Sequence, residues 1–133
     1  MQMINKYALI KAEEFPVVVV EFTGHKATDE NFAQYLEELN GLYAKKERLA
    51  ILFDASNAVF PGIKYQKMQG DWLKENEQMM KDYCAGTAYV ITNTIIRGVL
   101  KTIFKFQKQP VPYYICSDYV EANNWVIQKL SDK

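Results

Sequence analysis

The stretch Leu49 to Tyr65, LAILFDASNAVFPGIKY, constrains the fold of this chain more than any other. An apolar run stops at Asp54, an irregular segment containing Pro61-Gly62 follows, and a pattern at helical spacing begins. Val17 to Phe22, VVVVEF, is a second continuous apolar run, β-branched throughout its first four residues, as expected of a strand covered on both faces. Thr87 to Thr92 and Val111 to Cys116 repeat the theme, and Tyr7 to Lys11 is a weaker edge segment.

Between these runs the spacing is helical. Thr28 is placed to cap a helix whose first turn carries Asp29 and Glu30, with Phe32, Tyr35, Leu36, Leu39, Leu42 and Tyr43 in one apolar stripe. A second helix is expected from Ile63 or Lys64 to about Tyr83. A third, capped by Thr94, runs from Ile95 to about Gln107, and a fourth, capped by Ser117 or Asp118, runs through Leu130. Gly86 is expected to end a turn before the strand at Thr87. The order β-β-α-β-α-β-α-β-α predicts an α/β fold with a mixed, mostly parallel five-stranded sheet flanked by helices. No repeat or linker divides the chain, so residues 1–133 read as one domain.

Charge and composition narrow the function. The formal net charge is zero, which argues against a nucleic-acid partner. The zero hides an asymmetry, because residues 94–133 carry six basic and three acidic side chains. Cys84 and Cys116 have no neighbouring thiol and the chain has a single His, so neither a metal nor a cofactor is expected, and two buried free thiols are. No leader-like or membrane-spanning apolar run occurs. A cytoplasmic location is expected, with peripheral attachment to a membrane left open, as is homo-oligomer formation.

Two helices carry the candidate sites. Arg97, Lys101, Lys105 and Lys108 line up at i, i+4, i+8 and i+11, opposite an apolar column of Ile96, Leu100 and Ile103, with no acidic residue between Thr94 and Tyr113. Such a helix can lie on an anionic membrane or dock an acidic partner, although any surface helix needs a polar face. The preceding helix offers Tyr65, Met68, Trp72, Met79 and Tyr83, a soft aromatic set that can line a pocket for an apolar small molecule or serve as plain core. Ile96, Leu100 and Phe104 are the matching pocket candidates from the basic helix. His25 follows a strand end without an evident Asp or Cys partner. Asp54 is placed to accept backbone N–H bonds in the loop after its strand. No nucleotide, hydrolase or metalloprotease motif is present, and no residue is assigned a catalytic role.

The strand ending in LFDAS, the tract Arg97 to Pro112 closing in QKQPVP, and the pattern Asp118, Glu121, Ala122 and Trp125 together resemble a SpoIIAA-like member of the STAS superfamily, itself reminiscent of CRAL-TRIO domains. The resemblance implies a first strand antiparallel to the rest. In the phosphorylatable antagonists of that family, a D-x-S stretch precedes an Asp-Ser pair at a helix start. Asp54 and Ser56 match the first part, whereas Pro61-Gly62 stand where the pair would fall. The resemblance is therefore to the nonclassical branch without the phosphoserine, and it implies apolar-ligand binding and membrane association without catalysis. Its alternative implication is a regulatory protein partner docked on the loop Asp54, Ser56, Asn57, Pro61 and Gly62.

Overall fold

The apolar runs become the strands of a single sheet in the computed structural model, which describes residues 5–132. The elements are β1 (Ala8–Lys11), β2 (Val17–Phe22), α1 (Asp29–Gly41), β3 (Leu49–Asp54), α2 (Ile63–Glu75), α3 (Glu77–Tyr83), β4 (Cys84–Val90), α4 (Thr94–Phe106), β5 (Tyr113–Cys116) and α5 (Tyr119–Ser131). Strand order is β1-β2-β3-β4-β5, with β1 antiparallel to β2 and the remaining pairs parallel. Because no strand is skipped, each crossover advances one place in the same direction. Right-handed connections then put every connecting helix on one face.

The packing bears this out. On one face Val18, Val20, Leu49, Ile51 and Phe53 meet Phe32, Tyr35 and Leu39 of α1, Trp72 and Leu73 of α2, Met80 of α3, and Ile96, Val99 and Ile103 of α4. The other face, with Ala50, Leu52, Ala88 and Val90, is covered by α5 through Ala122 and Val126. Alternate residues of β3 thus enter two different cores, which is why LAILF shows no polar alternation.

Local chemistry sets the helix ends. Thr28 Oγ1 accepts from Asn31 N–H at 3.1 Å and Asn31 Oδ1 accepts from Thr28 N–H at 2.7 Å, a reciprocal cap that starts α1. Asp118 Oδ1 takes the Val120 N–H to start α5. For α4 the cap is Asn93, whose Oδ1 accepts from Ile95 N–H at 2.8 Å, and the expected capping residue Thr94 is already helical.

Three other expectations are corrected. The helix expected from Lys64 to Tyr83 is two helices that meet at Asn76 (φ −110°, ψ 17°), whose side-chain amide donates to the Trp72 carbonyl at 2.9 Å. A side chain that bonds the preceding turn competes with the helical ladder and bends it. Gly86 lies inside β4, which begins at Cys84 and shifts register against β3 between Leu49 and Ile51. The last strand is shorter than expected, since Pro112 lies outside it and uses its carbonyl to accept from Thr87 N–H at 3.0 Å.

Candidate functional site: a charge-free cavity between sheet and helices

The helical face does not close completely on the sheet. A cavity of about 90 Å³ runs between them, lined by residues of β2, β3, β4, α1, α2, α3, α4 and the loop 55–62. Its floor is a row of aromatic rings on three adjacent strands. Phe22 and Phe53 stack at 6.3 Å, and Phe53 and Tyr89 at 5.0 Å with planes 6° apart. Phe53 and Tyr89 are register partners on neighbouring parallel strands, which sets their rings level, and Phe22, two residues beyond Val20, the partner of Phe53, extends the row on the same face of β2. Phe32 and Tyr35 of α1, Trp72 of α2 and Ile96, Leu100 and Phe104 of α4 make the opposite wall. Among the described residues no Asp, Glu, Lys, Arg or His lines it.

Five of the eight pocket candidates, Tyr65, Trp72, Ile96, Leu100 and Phe104, line this cavity. Met68, Met79 and Tyr83 pack against the same core without reaching it. For Met79 and Tyr83 the bend at Asn76 accounts for the difference, because it turns α3 so that Met80 is the residue that faces inward; Met68 precedes the bend and lies at the edge of the inward face of α2. The periodicity did not reveal Gln66 and Gln109, which are buried polar residues of the lining. Tyr43 reads as the last position of the apolar stripe of α1, so its burial was legible but not its place in the cavity, whereas Gln109 reads as part of a polar tract before Pro110 and carries no local signal of burial.

Polar groups concentrate at one end. The Gln109 amide Nε2 donates to Tyr89 Oη at 2.7 Å. Trp72 Nε1 and Gln109 Oε1 have no hydrogen-bond partner, and Tyr43 Oη and Thr87 Oγ1 make no well-formed hydrogen bond, their polar neighbours being the Cys84 thiol and the Tyr89 hydroxyl respectively. Burial drives the Tyr43 and Tyr89 hydroxyls far above the usual phenol range and the Cys84 thiol up to about 11. All three stay protonated at neutral pH, so Cys84 is not a nucleophile there.

At the opposite end the loop 55–62 closes over the cavity with Ala55, Ala58, Val59 and Pro61. Asp54 turns this loop by accepting from Ser56 N–H (3.1 Å) and Ser56 Oγ–H (2.6 Å), the loop-capping role expected of it. Pro61 is buried and its carbonyl takes the Gln66 amide at 2.7 Å, while Ser56, Asn57 and Gly62 are exposed. Phe60 of the loop (59% exposed), Ile63 at the start of α2 (63%) and Ile95 in the first turn of α4 (62%) are exposed apolar side chains. Tyr65 Oη and Lys64 Nζ both donate to Asp29 Oδ1 at 2.8 Å and tie α2 to the start of α1.

The basic stripe is shorter than its spacing implies. Arg97 is half-buried and its Nη2 donates to the Ile91 carbonyl at 3.1 Å, so it serves the end of β4. Lys101 and Lys105 are exposed on α4, and Lys108 is exposed just beyond the helix end at Gln107. His25 is exposed on the loop after β2, where its backbone N–H donates to Thr23 Oγ1. Among the described residues no group of three or more His, Cys, Asp or Glu is placed to hold a metal, and no helix is long and apolar enough to cross a membrane. No protein-family model matches this sequence, and no curated protein matches it.

Proposed function

We propose that this chain is a noncatalytic module, of the SpoIIAA-like STAS type its sequence resembles, that takes an apolar small molecule into the cavity between sheet and helices. The observation that carries this is the charge-free, aromatic-floored cavity in an otherwise well-buried core. Protein interiors are packed about as densely as organic crystals, so a gap of this kind is an exception that favours occupancy by a ligand. The exposed Phe60, Ile63 and Ile95 at the loop end give such a ligand an apolar surface to arrive by, and the exposed Lys101 and Lys105 on α4 suit an anionic membrane as the source. A cytoplasmic protein that visits the membrane surface follows from this proposal.

Native mass spectrometry of protein purified from cells tests the ligand, with a copurifying species of constant mass expected. Repeated ligand-free spectra would count against it. Sedimentation with anionic vesicles at low salt tests the surface, and Lys101→Glu with Lys105→Glu should abolish whatever the wild type shows. The alternative, a regulatory partner docked on the loop from Asp54 to Gly62, is favoured by Phe60, a large aromatic held out into solvent from that loop. Phe60→Ser would then lose a protein partner that Lys101→Glu with Lys105→Glu retains.

A further inference from the structure

We propose that the cavity takes an uncharged amphiphile head first, burying a group that both donates and accepts hydrogen bonds, such as a hydroxyl or carboxamide, against Trp72, Tyr43 and Gln109. The inference rests on the apolar-ligand proposal and specifies the chemistry of that ligand. Each helix of this face runs back against the strands, from their C-terminal edge to their N-terminal edge. Tyr43 just past α1 and Gln109 just past α4 therefore fall at the end of the cavity opposite the loop 55–62, and Trp72, in the last turn of α2, lines the cavity on the way to that end.

All three are more than nine-tenths buried (Trp72 6% exposed, Tyr43 3%, Gln109 5%), and each leaves a polar atom without a well-formed hydrogen bond. Native proteins leave few such atoms, and one per residue on three lining residues points to a partner that the fold itself does not supply. Their chemistry is complementary to a single head group. The Trp72 indole can only donate. Gln109 Oε1 can only accept, because Nε2 of the same amide is committed to Tyr89. The Tyr43 hydroxyl can do either.

Charge is excluded by the lining. With no ionised side chain facing the cavity, a carboxylate or ammonium head would be stripped of water without a counter-ion. Size is bounded as well. A cavity of about 150 Å³ accommodates benzene, so 90 Å³ holds a head and a short stem of a few heavy atoms. A longer tail has to extend toward the loop end.

The test uses three probes of similar length, 1-butanol, 1-chlorobutane and butyrate, titrated at pH 7 and read from the Trp72 indole N–H resonance. Butanol is expected to bind about tenfold more tightly than chlorobutane, the order of effect of one or two net hydrogen bonds, and to shift that resonance. Butyrate is expected not to bind. Tyr43→Phe, which deletes a hydroxyl whose polar neighbour within the fold is the weakly bonding Cys84 thiol, should not lower the unfolding temperature and should erase part of the preference for butanol. Trp72→Phe, followed through the methyl resonances of Leu100 and Ile103 in place of the lost indole, should erase more of it. Chlorobutane binding as tightly as butanol would overturn the head-first inference and leave the apolar cavity standing, whereas no response to any probe would overturn both. A lower unfolding temperature, or failure to fold, in Tyr43→Phe would show the hydroxyl to be structural and would also overturn it.

Discussion

Gly86 shows how a single position can be fixed by what approaches it. A Cβ there would lie 2.9 Å from Trp125 Cη2 and 3.1 Å from the Pro112 carbonyl oxygen. The first contact could yield, since Trp125 is a side chain. The second cannot without moving the segment that leads into β5, and Thr87 N–H is already bonded to that carbonyl. Gly86→Ala should therefore cost about 1–3 kcal/mol, the range for overpacking a core, measured as a lower urea midpoint with an unchanged slope. Trp125→Leu should restore only part of the loss, because it relieves one of the two contacts. Full restoration would mean that the backbone approach carries no cost. Nothing in the sequence marks this glycine as a strand residue. By itself Gly reads as a turn signal, and only the α5 indole laid across β4 explains why it stands where a strand residue would.

At the scale of elements, the segment most able to move is α2. Its first residue follows Gly62, which offers no side-chain cap, and its outer surface at the loop end is Ile63 and Lys64 in solvent. What holds this end is the pair of bonds from Lys64 and Tyr65 to Asp29. Hydrogen bonds to Lys64 and Tyr65, with the Lys64 charge, hold the Asp29 carboxyl below its usual range, and the Asp29 bond raises Lys64 and Tyr65 above theirs. Signs follow from those directions. The carboxylate contribution is complete above the unfolded Asp value and is lost only as pH falls through the depressed one. The Lys64 contribution is complete below the unfolded Lys value and fades as pH rises through the raised one. Across pH 5 to 9 the tie is intact, so hydrogen exchange in the first turn of α2, corrected for intrinsic rates, should be flat in pH. Asp29→Ala should raise it several-fold at any pH in that window without a matching change in α5, and equal rises in both helices would mean global destabilisation. Because the pair is exposed, salt should weaken it. The bend at Asn76 belongs to the same scale. A helix that continues past Glu75 is what periodicity alone predicts, and it takes the Asn76–Trp72 bond to divide it.

For the whole molecule, the element order and the mixed, mostly parallel five-stranded sheet were legible because continuous apolar runs separated by helical spacing call for crossover connections, whereas the order of the strands across the sheet was not. The antiparallel first strand fitted the short connection from Lys11 to Val17, and the sheet has it. The cavity was legible only in its aromatic half. Tyr65, Trp72, Ile96, Leu100 and Phe104 share a helical face that points inward, whereas the polar end is assembled from Tyr43 and Gln109, each just beyond a helix end and brought together only by the sheet order. The two layers that result are unequal. Three crossover helices and α3 meet one face of the sheet and leave a gap, while α5 alone meets the other with Ala122 and Val126 fully buried against small strand residues. Room for added side-chain carbon should therefore exist on the first face and not on the second. Val99, buried on α4 and lining the cavity, is the probe for the first. Val99→Leu should stabilise the protein by about 0.5–1 kcal/mol, close to the value of one buried methylene, and should weaken binding of any cavity ligand by occupying its space. Ala122→Val, at 0% exposure on α5, should destabilise by about 1–3 kcal/mol. Urea denaturation of the two variants checks both. A loss from Val99→Leu as large as that from Ala122→Val would mean that the helical face is as tightly packed as the other, and the ligand proposal would lose its physical basis.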